Sequence, residues 1–209
     1  MLRSLFLILT VLFSHALSAK VRILTFHYNK PDFIELQHKC LKKFLLDDYE
    51  LIVFNDAASS IHEQNIRLKC QKLGIECVRF EPEWHLADPL SEIIGQWIGD
   101  PEIINSDFGV SKQDGLYAHE AIANQPSLRH CHVIQYALDH YGYEHDDLVA
   151  LMDGDAFFIR NTCLKDRLGS NAIIGISKPK GEPEYFWVPI VVFDPQKYQI
   201  LRNSSFMSL

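Results

Sequence analysis

The sequence predicts an α/β fold, a mostly parallel sheet flanked by helices, on three observations. Short apolar runs alternate with helix-periodic segments through the first eighty residues, the pattern of strands joined by helical crossovers. The connections between them are short, as right-handed crossovers in a parallel sheet require. A later run, "DDLVALMD", is apolar on both faces, which places it in the centre of a sheet covered on both sides. At 209 residues and 47% hydrophobic content, the chain buries a full core as one domain.

In chain order, residues 1–19 come first. Arg3 precedes an apolar run from Leu5 to Phe13, followed by the small residues Ala16, Ser18 and Ala19. The run is too short to span a bilayer, and its order of regions is that of a secretory signal peptide. Cleavage near Ala19 leaves a chain of residues 20–209 that is secreted or periplasmic, with no transmembrane span once the signal is removed. An uncleaved membrane anchor is the alternative.

"VRILTF" reads as the first strand, bounded by the polar "HYN". Pro31 opens a helix whose apolar residues Phe33, Leu36, Cys40, Leu41, Phe44 and Leu45 recur at steps of three and four, and which ends near Asp47 and Asp48. "YELIVFNDA" is a second strand. Ser59 or Ser60 caps a second helix, which Gly74 stops after Leu73. "IECVRF" makes a third strand and completes a Rossmann-like half at Phe80. Residues 81–125 break the rhythm with scattered prolines and glycines and read as an irregular, functional insert. Its Trp84, Trp97, Phe108 and Tyr117 either stack on a ligand or form that lobe's own core. A helix runs from Ser127 to Tyr141, then the central strand, then two more strands in "NAIIGIS" and "YFWVPIVVFDP". Pro189 marks the last of these as an edge strand or a bulged one.

Several functions are excluded. A formal charge of −7 without clustered Lys and Arg argues against nucleic acid as partner. The sequence has no G-x-S-x-G, P-loop or G-x-G-x-x-G, the devices of acyl hydrolases, P-loop nucleotidases and dinucleotide enzymes. "TFHYNKPD" is not the basic, glycine-rich loop that a nucleotidyltransferase would carry. His130 and His132 fall on different faces of a helix and do not form a zinc pair. Five cysteines, an odd number without pairing motifs, read as core thiols. If the chain is exported, either one pair joins in space or the chain reaches a reducing compartment.

One stretch carries chemistry. "LVALMDGDAFFIR" places Asp153 and Asp155 at the end of the central strand, with Gly154 between them. Ionised carboxylates at the rim of an apolar sheet need a partner. Alternate residues of an extended backbone point the same way, so both carboxylates reach one side, and glycine permits close approach. Mg2+ or Mn2+ binds through one or two such carboxylates, with phosphates and water completing the shell. Ligands in open parallel sheets sit beyond the carboxyl ends of the strands, where this motif falls. The bare spacing arises by chance about once in a chain this long, so its setting carries the weight. The alternative is a turn in which the two carboxylates cap backbone amides.

With this element order and "LVALMDGDAFFI" after the insert and helix, the chain resembles the nucleotide-diphospho-sugar transferases of GT-A fold from about Lys20 to Pro195. The resemblance implies that Asp153 and Asp155 hold Mn2+ or Mg2+ bound to the donor diphosphate. It implies that the end of the first strand, Thr25, Phe26, His27 and Tyr28, meets the nucleoside, that Asp56 faces the base or ribose, and that Arg129 reaches the diphosphate. The duller readings are that Asp56 caps the following helix, His27 is a loop residue and Arg129 makes a surface ion pair. "YFWVPIVVFDP" would line the donor and acceptor cleft. Family members carry a further metal-binding histidine or catalytic acid in a C-terminal segment that has no counterpart here, and Glu182 and Glu184 are not assigned as a base. The implied function is metal-dependent transfer of a sugar from a nucleotide-diphosphate donor to a glycan, lipid or protein acceptor. A truncated or inactive secreted binding module or effector on the same fold is the alternative.

Overall fold

The computed structural model describes residues 20–82, 84, 126–143, 148–178 and 185–197. The signal-peptide reading, nearly all of the insert with its Trp97, Phe108 and Tyr117, and Glu182 and Glu184 lie outside the described residues. The elements are β1 (Val21–His27), α1 (Pro31–Phe44), β2 (Tyr49–Asn55), α2 (Ser60–Leu73), β3 (Glu76–Arg79), α3 (Pro126–Ala137), β4 (Leu148–Asp153), α4 (Leu164–Leu168), β5 (Ile173–Lys178) and β6 (Tyr185–Phe193).

Each helix begins and ends for a local reason. Pro31 sits in the first turn of α1, where its missing N–H has no partner to lose. The buried stripe of α1 is Ile34, Gln37 and Leu41, whereas Leu36 is 46% exposed. The periodicity of the sequence pointed to Leu36 instead, because the true stripe passes through a glutamine. Ser59 caps α2, its Oγ accepting from the His62 N–H at 3.4 Å. Gly74 stops the helix with a left-handed φ of 68°, where a side chain would be strained. The helix read as continuous to Tyr141 is α-helical only to Ala137 and widens into a π-turn over Leu138–Gly142. The Tyr143 N–H donates to the Leu138 carbonyl at 2.9 Å, and Gly142 and Tyr143 are both buried. The short α4 was not foreseen. The buried Asp47 carboxylate holds it, accepting from the Leu164 N–H and the Cys163 thiol.

The six strands form one mixed sheet in the order β3-β2-β1-β4-β6-β5. β3, β2, β1 and β4 are parallel, and β6 runs antiparallel between β4 and β5. β4 is thus a central strand, as its two apolar faces predicted. Pro189, by contrast, is not on an edge. It lies at an irregularity where pairing steps from Gly175 with Val191 to Ile176 with Trp187, so its missing donor costs no ladder bond. Val21, Ile23, Val53, Ala150 and Met152 face one core layer with Ile34, Leu41 and Ile66 of α1 and α2. Leu24, Phe26, Phe54 and Leu151 face the other with Val133, Ile134 and Ala137 of α3. Trp84 packs edge-on to Phe80 at 5.2 Å and lies 5.1 Å from Tyr136, so it joins this second layer. All five cysteines are free thiols. Among the described residues no helix is long and apolar enough to cross a membrane.

Candidate functional site

The strand order reverses at β1: β2 and β3 lie on one side of it and β4 on the other. In parallel α/β sheets the crevice beyond the carboxyl ends of the strands at such a switch point is where ligands bind. Phe26 and Asp153 are register partners at that point, so the end of β1 and the aspartate motif share one groove.

The motif is a turn rather than a continuing strand. β4 ends at Asp153, and the Ala156 N–H donates to the Asp153 carbonyl at 3.0 Å across Gly154 and Asp155. The turn presses on β1. A Cβ on Gly154 would collide with the Phe26 carbonyl and stand 2.8 Å from His27 Nδ1, so the position excludes every side chain. Asp153 is partly buried and Asp155 exposed, and both line a hollow of about 470 Å3 with Phe26, Lys30, Phe33 and His130. A neighbouring hollow of about 200 Å3 lies between Tyr28, Asp56, Arg129 and Val133. Phe26, His27, Tyr28 and His130 border both, which makes the two one continuous groove.

Beneath the groove a polar network fixes the turn. Gln37, fully buried, donates through Nε2 to the Asp153 carbonyl at 2.9 Å and the Ala156 carbonyl at 3.2 Å. Carbonyls only accept, so the Gln37 amide is oriented with Oε1 toward His27 Nε2, 3.4 Å away. His27 therefore carries its proton on Nε2 and leaves Nδ1 bare under Gly154. Burial lowers the His27 pKa to about 4, partly offset by the Gln37 hydrogen bond, because a cation without a counter-charge is costly in the interior.

On the far side, Arg129 Nη2 meets Asp56 Oδ1 at 2.7 Å, with side chains only 13% and 9% exposed. The guanidinium also stands 5.3 Å over the Tyr28 ring, a cation–π contact. The Asp56 N–H donates to the His27 carbonyl at 3.0 Å, joining the ends of β1 and β2.

Of the residues singled out from sequence, Phe26, His27, Tyr28, Asp56, Arg129, Asp153 and Asp155 line this groove. Thr25 does not. It is fully buried, with its hydroxyl 3.3 Å from His27 Nε2, because strand alternation turns it to the α1 face. Asp56 does not cap α2, since Ser59 does, and Arg129 does not make a surface pair. His130 and His132 diverge as their spacing required: His132 is fully buried, and His130 faces the groove. The sequence reasoning missed Gln37, Lys30 and the position of His130 on the groove. For Gln37 the signal was a lone amide on an apolar stripe.

The carboxylates suit a hard cation. Among the described residues no backbone amide donates to the Asp153 or Asp155 side chain; Asp153 Oδ1 lies 2.9 Å from His130 Nε2, without the alignment of a hydrogen bond. An uncapped carboxylate beside a second, exposed one at a switch point is a donor set that Mg2+ or Mn2+ takes. Among the described residues no group of three or more His, Cys, Asp or Glu forms a ready cage.

No protein-family model and no curated protein sequence matches the chain. Solved structures do resemble it. They include a mannosyltransferase from Pyrobaculum calidifontis in complex with GDP-Man and Mn2+, at 11% identity, 89% of this chain and 47% of that one, with a TM-score of 0.47. The galactosyltransferase LgtC with donor and acceptor sugar analogs matches at 14% identity over 89% of this chain and 61% of its own, with a TM-score of 0.46. The mannosyltransferase Ktr4p from S. cerevisiae matches at 11% identity over 93% and 60%, with a TM-score of 0.46. The chain thus spans about half to three fifths of the length of these proteins.

Proposed function

We propose that the chain is a metal-dependent glycosyltransferase that takes its sugar from a nucleotide-diphosphate donor. One observation carries this: Asp153, at the switch point of the sheet, lines one hollow with the exposed Asp155, and no backbone amide among the described residues ties up either carboxylate.

In this reading Asp153 and Asp155 hold Mn2+ or Mg2+ and the diphosphate. When bound, the cation offsets the negative charge that develops on the leaving diphosphate. The smaller hollow takes the nucleoside. Tyr28, half exposed, offers a ring for the base to stack on, and Arg129 holds Asp56 in place for the ribose or base edge. Lys30 borders the phosphate side. Its ammonium lies 5.1 Å over the Phe33 ring, at the same hollow as the carboxylates. Gln37 and the neutral His27 keep the Asp-Gly-Asp turn rigid, so the carboxylates need no reorganisation when the donor arrives.

The test is thermal shift with UDP-, GDP- and CDP-sugars with and without Mn2+, followed by a donor-hydrolysis assay. A donor that binds the native state raises the melting temperature. Asp153→Ala and Asp155→Ala should each abolish turnover with an unchanged circular dichroism spectrum, and full activity in both variants refutes the reading. Transfer assays with the productive donor then separate glycan, lipid and protein acceptors.

A further inference from the structure

We propose that Cys70 and Cys77 form a disulfide site: when the folded chain meets a small-molecule or protein disulfide as oxidant, the two thiols join and the new bond ties α2 to β3. The inference is independent of the groove and its chemistry, and it identifies the pair that an exported chain closes.

The fold itself brings the two sulfurs together. Cys70 lies in the last turn of α2, and the Ile75 N–H donates to its carbonyl at 2.9 Å. The left-handed turn at Gly74 sends the chain back along the helix into β3. Cys77 follows Ile75 by two residues, so the two side chains leave an extended backbone on the same face. Cys70 and Ile75, both buried, and the partly buried Cys77 pack in one core layer, where the two thiols are in hydrogen-bond contact with each other. The other three cysteines are placed apart. Cys40 lies on α1 and Cys131 on α3, which covers the opposite face of the sheet, and the Cys163 thiol donates to Asp47 Oδ1 at 3.2 Å.

Thiol–disulfide exchange needs one thiol that an oxidant can reach and a second that resolves the mixed disulfide. Cys77 is partly exposed and Cys70 fully buried, which assigns the first part to Cys77. The hydrogen bond from Cys70 holds the Cys77 thiol below its ordinary range against the opposing effect of burial, and a further one from Asn55 adds to it, so Cys77 is the sulfur that ionises. Its thiolate attacks one sulfur of the oxidant and expels the other as a thiolate. Cys70 then loses its proton, attacks the Cys77 sulfur and expels the second thiolate. Two electrons pass from the cysteine pair to the oxidant disulfide, and the two cysteine protons end, by way of water, on the two thiols it becomes.

The experiment incubates the purified, reduced and folded wild-type chain with oxidised glutathione, blocks the remaining thiols with iodoacetamide and reads the product by mass spectrometry. Three of the five cysteines should be blocked. Trypsin cuts after Lys69, Lys72 and Arg79, so the peptides 70–72 and 73–79 should stay joined until a reductant separates them. The wild-type readout depends on no variant folding. The closed chain should melt roughly 5 °C above the reduced one, and Cys77→Ser should remove that difference. Five blocked thiols, a glutathione adduct on Cys77 that Cys70 fails to displace, or a link through Cys40, Cys131 or Cys163 in place of this one overturns the proposal. Equal melting temperatures for the closed and reduced wild-type chains overturn the claim that the bond ties α2 to β3.

Discussion

The neutral histidine under the aspartate turn makes stability depend on pH in a way that can be measured. His27 is buried, and its pKa falls to about 4 from an ordinary value of 6.5. Above pH 6.5 the imidazole is neutral in both folded and unfolded chains and contributes no difference. As the pH falls below 6.5 the unfolded chain takes up the proton first, so the native state loses stability until the pH reaches its own lower value. A gap of 2.5 units at 1.36 kcal/mol per unit is about 3 kcal/mol in full, of which about 2 kcal/mol is already lost by pH 5. Urea unfolding followed by tryptophan fluorescence at pH 7.5 and pH 5, on the wild type and on His27→Phe, isolates this contribution from that of the other histidines. The wild type should lose about 2 kcal/mol more than the variant over that interval. Equal losses in the two proteins, or a His27 ring that titrates near 6.5 by NMR, would refute the argument.

Gly154→Ala forces a Cβ into the Phe26 carbonyl and the His27 ring. It should destabilise the fold by about 1–3 kcal/mol and abolish Mn2+ binding, read by thermal unfolding and calorimetry. Arg129→Ala leaves the Asp56 carboxylate, 9% exposed, without its guanidinium. The expected cost is roughly 3 kcal/mol with weaker nucleotide binding, and Arg129→Lys should not restore the affinity, because an ammonium replaces neither the fork nor the stacking on Tyr28. Expression with residues 1–19 in a secreting host should yield a chain whose N-terminal sequencing starts near Lys20. A full-length, membrane-bound product would favour the anchor instead.

The parallel half of the sheet was legible because its signals are local. Pro31, Ser59 and Gly74 each act within one turn of the helix they bound, and β4 announces its central place through apolar residues on both faces. What could not be read depends on partners distant in sequence. The α1 stripe runs through Gln37 because two carbonyls at Asp153 and Ala156 need its amide, and nothing near residue 37 reports that. Pro189 was legible only as one of two readings: of the edge or bulge that it signals, the structure has the irregularity beside Gly175, on an interior strand. α4 depends on Asp47, 117 residues upstream of Leu164. The site was legible to the extent that chemistry lies in the motif itself. His130 was weighed only against His132, two residues along the helix, whereas its neighbour in space is Asp153.

The pairing of β1 with β4 also bears on how the chain is made. Val21 lies beside Leu148, so β1 has only β2 to pair with until some 127 further residues have been synthesised. At about 5–20 residues per second that wait is roughly 6–25 seconds. Throughout it, an apolar strand with unpaired N–H and C=O groups stands open to other chains. The nascent protein therefore needs a chaperone or rapid completion to stay soluble, and its crevice cannot exist before β1 and β4 have paired.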